Sequence, residues 1–200
     1  MRNIVPKDTR YVPFTQQRSC CLPASLSTVM YKLNIPLLPQ ELLGYHLGLI
    51  VSPENKKLFW NARTGKKPPA GYGTRAKLRK YSINTIFKKL EIPLKVIDHP
   101  VADFDMKSFV TFIDRSVRKN RDLLVCLNSG ILNNKKDDNS GHICVVDRIY
   151  PLKKEVRIID PSFKSPKWRV IKISKLKRAM ELHPTKGGGF WELIKQPSVN

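Results

Sequence analysis

The chain has 200 residues, of which 41% are hydrophobic and 26% are charged, so it is long and apolar enough to bury one full core. Lysine and arginine number 37 against 16 acidic residues, which gives a formal net charge of +21. This composition excludes a disordered chain, and no apolar run is long enough to span a bilayer. The N-terminus lacks the apolar run of a signal peptide, so we expect a cytoplasmic protein, or one in a host cytosol if it is delivered by another route.

The four cysteines contain no C-x-x-C pair and therefore predict neither a disulfide framework nor a zinc site. This usage is typical of a reducing compartment. We expect no cofactor and no bound metal.

Apolar periodicity and capping residues predict helices over 21–33, 39–48, 82–90, 106–118 and 174–182, with Ser82 and Ser174 as caps. Short apolar runs predict strands over 94–98, 122–127, 142–149, 155–160, 168–173 and 190–194. The stretch 132–140 is interpreted as a polar loop, and 52–74 as a long loop around Phe59 and Trp60 that forms one wall of a cleft. Helices precede a mostly antiparallel sheet, an α+β order. We expect a single domain over 1–200, with a helical part at about 15–120 and a sheet part at about 121–195.

The stretch from Gln16 to Ser25 places a cysteine at the start of a helix. A helix N-terminus carries partial positive charge and unpaired N–H groups, which favour a thiolate and can hold an oxyanion. Cys21 is therefore the candidate nucleophile, and its neighbour Cys20 is the main competitor. Cys126 and Cys144 lie in apolar strands and are interpreted as buried structural residues.

A second group of residues, in the predicted sheet, supplies a candidate general base. His142 follows Gly141 at the start of a predicted strand, and Asp160 ends the next strand before Pro161. A hairpin that turns near 151–152 would place Asp160 roughly opposite His142 on the same sheet face, where its carboxylate can orient the imidazole. Asp147 is an alternative orienter, but its position five residues after His142 predicts that it faces the opposite side. The other three histidines, His46, His99 and His183, have no partner pattern.

Three stretches follow a pattern in chain order: a glutamine ahead of Cys21-Leu22-Pro23-Ala24-Ser25 on a helix, then Ser140-Gly141-His142, then Ile159-Asp160-Pro161. This pattern resembles the papain-like clan of cysteine peptidases and its C39-like branch. The chain is also similar to phytochelatin synthases of the same clan. This similarity covers the stretch from Asp160 through Phe163 to Pro166, then Trp168-Arg169-Val170, and on to Phe190. The resemblance implies a papain-like fold in which Cys21 is the nucleophile, His142 the general base and Asp160 its orienter. It also implies that a glutamine donates to the oxyanion together with the Cys21 N–H.

Two positions depart from the family pattern. The family places its glutamine six residues before the cysteine, where this chain has Thr15, so either Gln16 or Gln17 must serve, and we favour Gln16. Leu22 replaces the usual glycine after the cysteine, which narrows the expected cleft.

The predicted function is a cysteine peptidase or amidase that hydrolyses a peptide or isopeptide bond through a thioester. The alternatives are an acyltransferase or transpeptidase on the same triad, and a basic binding module without turnover. Basic residues are spread over nearly every polar segment, and no nucleic-acid-binding motif accompanies them. We therefore expect an acidic peptide or protein substrate and no specific nucleic acid.

Overall fold

The structure is a computed structural model, and it describes residues 5–59, 67–163 and 167–197. Trp60 and the stretch 164–166 of the resemblance lie outside these ranges. The described helices are α1 (Cys21–Lys32), α2 (Gln40–His46), α3 (Ile83–Lys89), α4 (Met106–Arg118), α5 (Ser129–Asn133) and α6 (Ile173–Glu181). The strands are β1 (Leu94–Pro100), β2 (Asp122–Asn128), β3 (Gly141–Tyr150), β4 (Glu155–Ile159), β5 (Trp168–Lys172) and β6 (Gly189–Lys195). No helix within these ranges has the length and apolar character that crossing a membrane requires.

The six strands form one sheet in the order β1-β6-β2-β3-β4-β5, and every neighbouring pair is antiparallel. The β3–β4 hairpin places Ile159 opposite Val145, and the register shifts between Val146 and Arg148. The α+β prediction with helices packed on an antiparallel sheet is confirmed. Since β1 joins this sheet through β6, the sheet also includes a strand from the N-terminal half of the chain.

Helices cover both faces of the sheet. On one face the apolar sides of α1, α2 and α3 pack against alternate residues of β2, β3 and β6, with Leu26 and Phe87 fully buried. On the other face α4 and α6 pack against the intervening residues, with Phe109 and Leu176 at the centre. Every residue of β2 is buried, which agrees with its continuous apolar run.

Two local predictions are wrong. Ser174 does not cap α6, because the helix begins at Ile173 after Lys172 and no side chain caps it. Residues 132–133, the start of the predicted polar loop over 132–140, instead end α5 (Ser129–Asn133), which the Asn128 side chain caps by accepting a hydrogen bond from the Ile131 N–H. Leu132 is fully buried in α5, so this segment contributes to the core although many of the residues that follow it are polar. Elsewhere Ser82 caps α3 as predicted.

Buried polar contacts fix the segment that leads into α1. The Arg10 N–H donates to Asp147 Oδ1 at 2.8 Å, and Arg157 Nε donates to Asp147 Oδ2 at 2.6 Å. The Tyr11 hydroxyl donates to Asp122 Oδ1 at 2.6 Å. The bonds of Arg10 and Tyr11 attach the N-terminal segment to β3 and β2, so the start of α1 is held close to the sheet.

Candidate active site

The N-terminus of α1 presents Cys21. Cys20 is the N-cap residue, and its side chain makes no capping hydrogen bond, so the first N–H groups of the helix keep their partial positive charge for other acceptors. Just before it, Cys20 N–H donates to Gln17 O at 3.0 Å, and Ser19 has a φ of 62°. This tight turn, with a non-glycine residue in the left-handed region, sets the direction from which the chain enters the helix.

The Cys21 side chain is partly buried and lies where hydrogen-bond donors converge. Burial opposes ionisation of the thiol, but a hydrogen bond from His142 and the N–H groups of Ile143 and Leu22 outweigh it, so the pKa of Cys21 is lowered. Cys20 behaves in the opposite way, because complete burial raises the pKa of its thiol far above the ordinary value. The neighbouring cysteines therefore differ: Cys21 favours the thiolate, and Cys20 is an inert part of a small apolar cluster.

His142 connects Cys21 to Asp160. Its Nε2 lies 2.8 Å from Asp160 Oδ1, and its side chain is 12% exposed. Burial disfavours the imidazolium, but contacts with Cys144, Asp160 and Cys21 raise the pKa of His142 well above its usual range. With Nε2 facing the carboxylate, Nδ1 is the nitrogen left to face the thiol.

Asp160 is buried and fully satisfied. Its side chain is 1% exposed, and it accepts hydrogen bonds from His142, from Arg169 Nη1 at 2.7 Å and from the Ser162 N–H at 2.9 Å. Burial favours the neutral acid, but these donors hold the pKa of Asp160 far below its usual range. The carboxylate is therefore ionised at every pH at which the protein is expected to work.

Cys144 is a third neighbour of the imidazole that sequence reasoning assigned only to the core. Its sulfur lies with the side chains of His142 and Asp160 in a group whose ligand atoms are within 4.8 Å of one another. Burial raises the pKa of Cys144 to about 11, and the Asp160 carboxylate already pairs with Arg169.

The two candidate glutamines have different surroundings. Gln17 is exposed, and its amide Nε2 donates to Glu41 Oε1 at 2.5 Å, which directs it toward α2. Gln16 is partly buried, its N–H donates to Pro161 O at 2.8 Å, and within the described residues its buried Oε1 has no hydrogen-bond partner. The Gln16 backbone is thus attached to the residue that follows Asp160, whereas the Gln17 side chain is already engaged elsewhere.

Two residues near His142 were not found from the sequence. Arg169 clamps Asp160 and also donates to Asn133 Oδ1 at 2.9 Å and to Leu132 O at 3.1 Å. His183 packs on Gly141, where an added Cβ would lie 2.9 Å from its Nε2. The only signal for this contact was the glycine before His142, which allows the imidazole of His183 to approach the backbone closely.

The remaining candidates lie away from this cluster. Asp147, the alternative orienter, pairs with Arg157 and not with His142. His99 pairs with Glu192 at 3.0 Å, and His46 is the buried last residue of α2. Trp168 donates to Thr9 Oγ1 at 2.8 Å, and Trp191 packs against the core under α1. Cys126 is buried in β2, as predicted.

No known family model matches the chain, and a search of curated proteins found no relative. A solved structure does match: the crystal structure of a protein from Bacillus anthracis, provisionally described as a C39-like peptidase. The two are 15% identical with a TM-score of 0.54, and the match covers 92% of this chain and 95% of that chain. They share one fold over nearly their whole lengths. The papain-like fold predicted from the resemblance is confirmed, and the similarity to phytochelatin synthases stays a prediction.

Proposed function

We propose that this protein is a papain-like cysteine peptidase or amidase that hydrolyses a peptide or isopeptide bond. The observation that carries the proposal is the chain of contacts from Cys21 at the N-terminus of α1 through the His142 imidazole to the buried Asp160 carboxylate. A thiol with a lowered pKa beside an imidazole with a raised pKa favours the thiolate–imidazolium pair that this chemistry requires.

In the first half of the reaction the Cys21 thiolate attacks the substrate carbonyl carbon and forms a tetrahedral intermediate. His142 then gives its proton to the leaving amine, which departs and leaves a thioester on Cys21. In the second half neutral His142 takes a proton from water, the hydroxide attacks the thioester, and the acid product leaves with regeneration of the thiolate. Asp160 keeps the imidazole oriented and stabilises its charged form throughout.

The negative oxygen of the tetrahedral intermediate needs donors. The Cys21 N–H at the start of α1 is one, and we assign Gln16 as the other, because the Gln17 amide already donates to Glu41. The Gln16 amide must present Nε2 to the oxyanion, and the hydrogen bond from its backbone to Pro161 fixes its distance from the loop that follows Asp160.

The likeness to the Bacillus anthracis protein supports this proposal through the fold, since it was provisionally described as a C39-like peptidase. At 15% identity the likeness carries no information on substrate. The arrangement of side chains in this chain is therefore the stronger support.

Labelling with a peptide that bears a thiol-directed electrophile tests the assignment. We expect wild type and Cys20→Ala to be labelled at similar rates, and Cys21→Ala and His142→Ala to lose labelling. Equal labelling of all four proteins would contradict the assigned nucleophile. Mass spectrometry of products formed with and without added glutathione separates hydrolysis from acyl transfer, and a protein that neither cleaves nor transfers would be a binding module.

A further inference from the structure

A small open hollow lies at the segment that leads into α1, and its wall residue Phe59 packs with Cys20. We call it the Arg18 hollow; its volume is about 300 Å³, and its walls are Gln16, Gln17, Arg18, Leu58, Phe59 and Phe163. Arg18 stands three residues before Cys21, and Phe163 stands three residues after Asp160. The hydrogen bond from Gln16 N–H to Pro161 O joins these two walls. The hollow therefore opens where the segments that carry the candidate nucleophile and the orienter meet.

The walls are more apolar than an ordinary surface of a charged protein. Leu58 is 61% exposed and Phe163 is 47% exposed, while Phe59 forms the buried floor. Exposed apolar side chains that line a concavity next to reactive groups are typical of a binding surface. The Cζ of Arg18 lies 4.7 Å from the centre of the Phe163 ring, close enough for a cation–π contact. This contact limits the orientations of the guanidinium at the rim of the hollow.

Arg18 carries the only charge among the described wall residues of the hollow, and two carboxylates lie near its rim. Within the parts of the chain that the structure describes, Arg18 makes no ion pair, and the other polar wall residues are two neutral glutamines. These carboxylates are Glu54, which is exposed and accepts its main hydrogen bond from Ser52, and Glu41, whose Oε1 accepts a hydrogen bond from Gln17 Nε2. A guanidinium held over a ring still presents edge N–H groups, and these match the two oxygens of a carboxylate.

We propose that the Arg18 hollow is a substrate subsite that binds a carboxylate of the peptide substrate, with Arg18 as the specificity-determining residue. The inference rests on the proposed peptidase function, because the hollow acquires this meaning from walls that lie three residues along the chain from Cys21 and from Asp160. The carboxylate comes from an aspartate or glutamate side chain near the scissile bond or from the C-terminus of a short peptide. The apolar walls contact the methylene groups that carry it.

The test uses pools of acetylated, amidated hexapeptides in which one position at a time is fixed as Glu, Gln or Lys. Cleavage is followed with internally quenched peptides, and binding is followed with the Cys21→Ala protein and a neutral fluorophore. We expect wild type to prefer the Glu pool over the Gln pool about 10-fold in kcat/KM at one position or two neighbouring ones, as a charge-assisted contact near the surface allows. Arg18→Glu should abolish this preference and favour the Lys pool. Pools with a free C-terminal carboxylate show which source the hollow selects.

Arg115→Glu is the matched control, because Arg115 is exposed on α4 beyond the opposite face of the sheet and the substitution changes the net charge equally. If Arg115→Glu weakens the Glu preference as much as Arg18→Glu does, the preference reflects the overall charge of the protein and the subsite is refuted. A Glu preference that survives Arg18→Glu also refutes it. Absence of cleavage of any pool would contradict the peptidase function alone, since binding to the Cys21→Ala protein still shows whether Arg18 selects a carboxylate.

Discussion

Arg169 is the residue whose replacement most directly tests the geometry around Asp160. It donates to Asp160 Oδ2 at 2.7 Å, to Asn133 Oδ1 at 2.9 Å and to Leu132 O at 3.1 Å, and its side chain is 16% exposed. The bond to the Asp160 carboxylate joins two charges and contributes about 1.5–3 kcal/mol to stability. Each bond to a neutral acceptor contributes about 1 kcal/mol more. A methionine at position 169 would lose these bonds, although its methylene groups would retain part of the packing. We therefore expect Arg169→Met to lower the free energy of unfolding by about 3.5–5 kcal/mol at pH 7.

This loss should depend on pH in a defined direction. The pKa of Asp160 is lower in the folded protein than in the unfolded chain, so its interactions stabilise the fold above the ordinary pKa of about 4 and lose that effect as the pH falls below it. The difference between wild type and Arg169→Met should therefore be greatest near neutral pH and shrink below about pH 4. Urea unfolding followed by circular dichroism between pH 3 and 7 measures it.

The same substitution should lower kcat about 10-fold with little change in KM, because Asp160 loses the partner that fixes its second oxygen while the substrate surface stays intact. Arg169→Lys keeps the charge without the planar fork and should restore part of both properties. Arg178→Met is the control, because Arg178 lies on the exposed side of α6, and it should change the free energy of unfolding by less than about 0.5 kcal/mol. A destabilisation by Arg169→Met that does not vary with pH, or that Arg178→Met matches, would refute the assigned role of Arg169.

Three further predictions concern the thiol, its oxyanion donor and the backbone beside His142. Alkylation of Cys21 by iodoacetamide should reach its plateau at a lower pH than alkylation of free cysteine, because the pKa of Cys21 is lowered, and a pH profile that coincides with that of free cysteine would indicate an ordinary thiol. Gln16→Ala should reduce kcat about 10²- to 10³-fold, as loss of an oxyanion donor does, while Gln17→Ala should stay within about twofold in a steady-state assay; the reverse order would reassign the donor. Gly141→Ala should reduce activity because its Cβ would lie 2.9 Å from His183 Nε2, and a second substitution, His183→Ala, should recover activity; failure of that recovery would rule out the steric explanation.

Local sequence patterns were sufficient to predict those features of the fold that depend only on residues close together in the chain. The spacing of apolar residues predicted α4 over 106–118, where the structure has Met106–Arg118. The cysteine at the start of an apolar-periodic segment was predicted to begin α1, and α1 begins at Cys21. The order of helices and strands also predicted the α+β class. Such features follow from helical and strand periodicity, which a single stretch of sequence contains in full.

Some contacts of the candidate site depend on a single hairpin, so the sequence could predict them as well. The spacing between His142 and Asp160 predicted that a turn near 151–152 would bring them together, and their side chains lie 2.8 Å apart. The exact register was not predictable, because the shift between Val146 and Arg148 depends on how the strands pair. The register beyond the shift continues to Asp160 opposite Cys144, on the same sheet face as His142; without the shift Asp160 would lie opposite Val145, on the other face.

The sequence by itself determined the class of the fold, the position of the candidate nucleophile on a helix and the pairing of His142 with Asp160. Only the tertiary structure decided that Arg169 clamps Asp160, that Cys144 and His183 border His142, and that the Gln16 backbone binds the loop after Asp160. It also gave the two neighbouring cysteines opposite pKa shifts, because Cys20 is buried among apolar side chains whereas Cys21 receives hydrogen bonds from His142 and from backbone N–H groups. The physical reason is that ionisation and hydrogen bonding depend on which distant segments surround a side chain, and that arrangement is set by the packing of helices on both faces of the sheet.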